Sequence, residues 1–352
     1  MLEALQLVRE FLFPGRHTGT SIPPLDGGLT PNDALAGLAT VAELTEPDDV
    51  LLVGGDLYVT SGTTLLRLSE GDRAVVASFD GEAGALARAA DGRVLVCVAG
   101  TGVVAVDPGG TTSVVVDEAR CPTDLAVADD GTLYVTDGST RHHGQDWVHD
   151  LMERNALGRL LRHDPSGTTT VVADGLAYPS GVTVDGAGEL VVCEAWTHRI
   201  SRFGQDGRRT VLRDNFPGYP GRISRAPDGG YWLAVFALRT QLVEFVLTQR
   251  DYVGEMMRTI EPDYWIRPAL RGLNNGLEPL QGGQIRKLGV IKPWAPPRSY
   301  GLVARLDEEG HAVSSMHSRG GGDRHGVTSA RQYGDRLLLA VRGGDRVLEA
   351  RA

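Results

Sequence analysis

Positive charge is in deficit in this chain: 35 lysines and arginines stand against 45 acidic residues, for a formal net charge of −10. Arginines scattered among acids cannot track a phosphate backbone by counterion release, so nucleic acid is not an expected partner. Cysteine is nearly absent, with Cys97, Cys121 and Cys193 making an odd count of three. They supply neither a disulfide framework nor a metal-ligand spacing. Cys97 and Cys193 lie inside apolar runs, where a thiol behaves as a small core residue, and Cys121 stands at a strand entrance. A cytoplasmic location is the default expectation for such a chain. No apolar run is long enough to cross a bilayer, so no membrane partner is expected. The opening MLEALQLVREFLFPG lacks a basic n-region and a small-residue cleavage site, and reads as a short amphipathic helix ended by Pro14 and Gly15.

Glycine, in contrast, is abundant at 46 residues, and together with short apolar runs it points to an all-β fold with many tight turns. The most regular unit is Tyr178–Phe203, YPSGVTVDGAGELVVCEAWTHRISRF. It has an X-Pro entry, a short apolar run, a turn at Asp185 to Gly188, and two further strands at Leu190 to Cys193 and Ile200 to Phe203. This is the pattern of one antiparallel blade, which cannot bury its own faces. Copies of it begin at Glu46, Gly81, Cys121, Tyr178, Tyr219 and Asp323. Uninterrupted, they recur at about 40 residues, within the range of propeller blades. The expected fold is a six-bladed β-propeller over residues 36–352, preceded by a helix and lead-in over 1–35. A strand within Ala36–Leu44 is expected to complete the last blade, which removes the exposed edges of an open ring.

Two copies are interrupted, at about 141–157 in blade three and 238–299 in blade five, with helical periodicity in both. Loops of that length pack over one end of the ring rather than wander, as lids, as structural caps, or as an interface joining subunits of a homo-oligomer through the blade-five insertion. Tyr264, Trp265 and Trp294 suit any of these roles.

The segments TRHHGQDWVHDLMERNALGRLLRHDPSGTTTVVADGLAYPSGVTVD, CEAWTHRISRF and FPGYPGRISRAPDGGYWLAV resemble the bacterial branch of the strictosidine-synthase-like proteins. These are six-bladed propellers related to the gluconolactonase and paraoxonase groups. The resemblance runs from about Glu46 to the C-terminus and is strongest over blades three to five. It implies the fold more firmly than the reaction, since one fold hosts several chemistries.

In a propeller the innermost strands surround the central channel, and the residue after the X-Pro entry begins each of them. Around the ring these positions read Asp48, Ala83, Thr123, Ser180, Gly221 and His325. The resemblance to the lactonases implies a divalent cation held by Glu, Asn, Asn and Asp in blades one, three, four and five, where this chain has Asp48, Thr123, Ser180 and Gly221. Calcium takes six to eight oxygens with carboxylates prominent among them, so no cofactor is expected, with calcium the disfavoured alternative. Asp49 and Asp124 should point away from the channel by strand alternation. The strictosidine synthases themselves use a last-blade glutamate as acid–base, and the resemblance places it at Thr328, whose hydroxyl cannot substitute for a carboxylate.

The remaining catalytic candidates are His325 and Asp48, in blades that become neighbours once the ring closes. A carboxylate beside an imidazole fixes its tautomer and raises its pKa. The other reading of His325 is a hydrogen-bonded channel residue without a chemical task. Thr123, Ser180, Tyr219, Arg222, His143 and His149 are the candidate substrate-binding residues. His142, His143, His149, Asp146 and Asp150 read as a solvated polar face rather than a metal site. Glu194, Arg199, Asp137 and Arg239 read as ties between strands. The expected partner is a small molecule. The expected function is a metal-independent enzyme of the strictosidine-synthase-like type, performing condensation, cyclisation or elimination. A lactone or ester hydrolase and a non-catalytic ligand- or protein-binding propeller are the alternatives.

Overall fold

Six four-stranded antiparallel sheets are arranged as blades around a central channel. The structure, a computed structural model, describes residues 21–69, 72–204, 207–273, 275, 277, 286–287, 290–291, 298–319 and 322–352. The expected N-terminal helix and Trp294 lie outside the described residues. The inner strands are Pro47–Val53, Ala83–Arg88, Pro122–Val127, Pro179–Val184, Gly218–Arg225 and Val327–Tyr333 for blades one to six. Blade six takes its outermost strand, Ala39–Glu43, from the other end of the chain, with Ala39 opposite Glu349 and Glu43 opposite Arg346. The ring therefore closes by pairing, as the sequence pattern anticipates.

The burial pattern follows from position. Second strands such as Val94–Val98 and Leu190–Glu194 are buried throughout, because both of their faces meet neighbouring blades. The core is accordingly a set of wedges between blades. One wedge packs Val191, Cys193 and Ile200 against Ile223, Leu233 and Leu302. All three cysteines are buried and free.

Polar side chains join neighbouring blades near the channel, where the strands run too close for bulky groups. Hydroxyls donate to the next blade's carbonyls from Thr60 to Gly84 (2.7 Å), Thr123 to Pro179 (2.6 Å), Ser180 to Pro220 (2.7 Å), Ser224 to Ala330 (2.6 Å) and Thr328 to Asp48 (2.7 Å). Carboxylates do the same for amides: Asp49 accepts from Leu86 N–H at 2.8 Å and Asp124 from Val182 N–H at 2.9 Å. Gly181 marks a close approach of the inner strands of blades four and five, since a Cβ there would lie 2.4 Å from the Gly221 carbonyl oxygen.

The blade-three insertion forms helix α1 (Trp147–Glu153), and the blade-five insertion forms α2 (Gln241–Thr248) and α3 (Arg250–Thr259). The Thr240 hydroxyl accepts from Val243 N–H at 3.2 Å and so caps the start of α2. Val148, Leu151 and Met152 of α1 pack with Val243, Val246, Val253, Met256 and Trp265 in one cluster around Tyr219. The two insertions thus make a single cap over the end of the ring where the inner strands begin.

Candidate active site

Under this cap the channel opens into a cavity of about 160 Å³. Its wall is aromatic, formed by Trp147, Tyr178, Trp196 and Phe236. Tyr178, the residue before Pro179, is held at φ 56°, a left-handed conformation uncommon for a bulky residue. It stacks on Trp196 with ring centroids 4.4 Å apart. The Trp196 indole N–H donates to Asp150 of α1 at 2.7 Å, so the cap sets the orientation of the wall. The Arg267 guanidinium lies 5.5 Å from the Trp147 ring centroid, within cation–π reach.

The floor is made by residues of the inner strands: Asp48, Gly84, Thr123, Ser180, Gly221, Arg222 and Thr328. The Thr123, Ser180 and Thr328 hydroxyls are engaged with backbone carbonyls of neighbouring blades. Arg222 reaches across the channel. Its Nη2 donates to Asp48 Oδ2 (2.5 Å), its Nη1 to the Asp48 carbonyl (2.9 Å), and its Nε to the Thr123 carbonyl (3.2 Å). Below it, Arg331 grips Asp49 through Nε (2.9 Å) and Nη2 (2.6 Å). Burial pushes Asp124 up to about 7 against the pull of Arg222. Burial alone would likewise raise Asp49, but Arg331 and Arg222 outweigh it and hold the carboxyl below its usual range.

The rim carries Glu82 and Arg342. Arg342 pairs with Glu82, and its Nη1 lies 3.3 Å from Asp48 Oδ1. Burial raises the Glu82 carboxyl above its ordinary value, ahead of the lowering by Arg342, and the charge on Asp48 adds to the rise. A carboxyl so placed can exchange a proton nearer neutrality than a free glutamate can. Glu82, Gly144, Trp147, Leu270 and Arg342 also border a second space of about 520 Å³ that continues outward beneath the blade-five insertion.

Several expected positions fall elsewhere. His325 does not meet Asp48: its Nδ1 is 2.9 Å from the Ser299 hydroxyl, its ring stacks near Tyr300, and Asp48 is held by Arg222 and Arg342. The inner strand of blade six starts two residues later, at Val327, after a turn in which Gly326 adopts φ 64°. Thr328, rather than His325, is therefore the channel residue of that blade. Blade two is offset by one, with Ala83 in the core and Gly84 on the floor. Tyr219 is fully buried behind Trp196 and Phe236 and does not line the cavity. His143 is exposed, and His149 packs edge-on against Trp265 outside the cavity lining. Glu153 ties His142 (2.9 Å) and Arg141 (3.0 Å) on the surface of the insertion. Asp48, Thr123, Ser180 and Arg222 do converge on the floor.

Glu82 and Arg342 were not among the sequence candidates. Glu82 immediately precedes the blade-two position, in a copy without the X-Pro entry, and Arg342 follows the buried run Leu337–Val341 at the ring's closing blade. A charged residue ending an apolar strand was the available signal.

The floor does not fit the divalent cation that the lactonase resemblance implies. The guanidinium of Arg222 already occupies the space among Asp48, Thr123 and Thr328, Gly221 contributes no side chain, and the Thr123 and Ser180 hydroxyls are turned to backbone carbonyls.

The family model for strictosidine synthase matches residues 123–207. The adipocyte plasma membrane-associated protein of Danio rerio is 32% identical over 270 residues, 71% of this chain and 58% of that protein. Strictosidine synthase-like protein 4 of Arabidopsis thaliana is 29% identical over 238 residues, 62% of this chain and 63% of that one. The chain spans about half the length of the curated relatives it matches. Among solved structures, a gluconolactonase of Xanthomonas campestris superposes with a TM-score of 0.57 at 16% identity, covering 95% of this chain and 98% of that one, a likeness of fold. No helix among the described residues is long and apolar enough to cross a membrane.

Proposed function

Because this chain belongs to the strictosidine-synthase-like family of six-bladed propellers, we propose that it is a small-molecule enzyme working by metal-independent acid–base chemistry, with Glu82 as the proton-transfer group. The observation that carries this reading is the Glu82–Arg342 pair at the rim of a cavity whose wall is four aromatic rings. The raised carboxyl can accept or give a proton, and Arg342 stabilises its anion when the proton has left. The wall favours a flat, partly apolar substrate, which the cap shields from water. Condensation, cyclisation and elimination all need a proton moved beside a polarised bond, and this is the reaction class assigned. The cytoplasm is the compartment proposed, consistent with three free buried cysteines.

The test is turnover of amine–aldehyde pairs and of small lactones by the wild type and by Glu82→Gln. The variant should lose about 10²–10⁴-fold in kcat with KM little changed, the size expected of a positioned general acid–base. Undiminished kcat in a folded Glu82→Gln protein would remove Glu82 from the mechanism. Lactone or ester hydrolysis is the second reading. It is favoured by the guanidinium groups of Arg222 and Arg342 on the cavity surface, which suit an oxygen gaining negative charge.

A further inference from the structure

The surroundings of Arg222 are made almost wholly of oxygen. Its guanidinium nitrogens lie 2.5 Å from Asp48 Oδ2, 2.9 Å from the Asp48 carbonyl, 3.2 Å from the Thr123 carbonyl, 3.4 Å from the Thr328 carbonyl and 3.8 Å from Asp124 Oδ1. Three blades supply these five oxygens, two of them from carboxylates buried in the ring. Carbonyl and carboxylate oxygens set around one cationic group are the donor types that a hard divalent cation such as calcium takes. Here their centre is taken by a partly buried side chain of the same protein.

We propose that Arg222 is the built-in cation of the channel, closing an oxygen cage that would otherwise take a divalent metal ion. The guanidinium supplies the positive charge that the buried carboxylates of Asp48 and Asp124 require, and it spans from blade five to blades one, three and six at once. The ring's central counter-charge is thereby covalently attached and cannot be lost by dilution or chelation. Removing the arginine side chain while keeping Asp48 leaves the oxygens in place and the charge unbalanced, and calcium meets both needs. This inference does not rest on Glu82 as the proton-transfer group, because it concerns the floor and not the rim.

The experiment compares the wild-type protein, Asp48→Asn, Arg222→Ala, Arg222→Lys and the double variant Asp48→Asn/Arg222→Ala by calorimetric titration with calcium chloride and by thermal unfolding with calcium or EDTA. The wild type and Arg222→Lys should bind no calcium in the channel. Arg222→Ala should bind one ion per chain with a Kd of about 10⁻⁴–10⁻³ M, the range of sites with few carboxylates. At tenfold excess over that Kd its melting temperature should rise by about 2 °C, and the double variant should lose both effects. If Arg222→Ala does not fold alone, refolding with about 5 mM calcium chloride should restore the β-sheet circular dichroism, while EDTA should not. The proposal is overturned by a folded Arg222→Ala protein that gives neither heat nor thermal shift with calcium. It is equally overturned by refolding that fails in both conditions, or by a wild-type protein that binds one calcium ion lost on Asp48→Asn.

Discussion

Asp49 offers the sharpest test of what joins the blades, because one carboxylate there accepts five hydrogen bonds from three of them. Its oxygens take Val50 N–H (2.7 Å), Leu86 N–H (2.8 Å), the Ser329 hydroxyl, and the Nε and Nη2 of Arg331. Replacing it by asparagine keeps the volume but turns one acceptor into a donor, which faces an N–H or a guanidinium whichever way the amide is set. The change removes the charge partner of Arg331 and strands at least one buried donor. Breaking a buried ion pair from one side costs about 3–5 kcal/mol. For a chain of this length the unfolding entropy is about 0.7 kcal/mol/K, so 4 kcal/mol corresponds to a melting temperature lower by roughly 5 °C. The control is Asp33→Asn, which breaks an ion pair of 2.5 Å between side chains more than half exposed and should move the midpoint by about 1 °C or less. Differential scanning fluorimetry at pH 7 measures both. Equal shifts for the two variants would refute the view that buried polar ties, rather than surface pairs, hold the ring. The sign with pH is also fixed. Since the Asp49 pKa is lower folded than unfolded, its contribution is complete above about pH 4 and is lost as pH falls through the lower folded value. Wild type and Asp49→Asn should therefore converge in stability in strong acid.

Gly181→Ala should destabilise the protein by about 1–3 kcal/mol in chemical denaturation, since its methyl would press the Gly221 carbonyl from 2.4 Å. A midpoint within error of the wild type would mean that the inner strands of blades four and five can part freely. Asp150→Ala removes the 2.7 Å hydrogen bond to the Trp196 indole and should loosen the aromatic wall, raising KM with a smaller change in kcat. Tryptophan emission should shift to the red, and an unchanged spectrum would dissociate the cap from the wall. Dialysis of the wild type against EDTA should leave activity and melting temperature unaltered, whereas loss of either restored by calcium would contradict a guanidinium-filled channel.

Blade count and ring closure were readable because hydrophobic alternation and glycine-bearing turns repeat wherever a strand must be buried between neighbours. Pro47, Pro122, Pro179 and Pro220 even mark the entrances of the inner strands in four blades. Where that mark is missing the reading slipped, by one residue in blade two and by three in blade six, and these two slips hid Gly84 and Thr328 from the floor. The pairing of His325 with Asp48 failed for the same reason, since a displaced register put the imidazole beside Ser299 instead. The Glu82–Arg342 contact joins residues 260 positions apart, and no local pattern encodes such a meeting. Tyr219 and His149 illustrate the converse. Both are polar aromatic residues near the entrance, yet packing against Trp196, Phe236 and Trp265 takes them into the cap.

The strand Ala39–Glu43, paired with Arg346–Arg351, also bears on how this chain reaches its native state. Contacts between residues some three hundred positions apart carry a large loop-closure cost and must come late. During synthesis, blades one to five can assemble as they emerge, but the ring has no complete sixth sheet until its last strand is available. Until then Ala39–Glu43 and the edge of the incomplete blade present unpaired backbone groups, the kind of surface on which two copies can exchange strands. Separating these two strands, by trimming or by bulky fusions beside them, should therefore slow refolding and promote domain-swapped assemblies more than any comparable change within blades two to four.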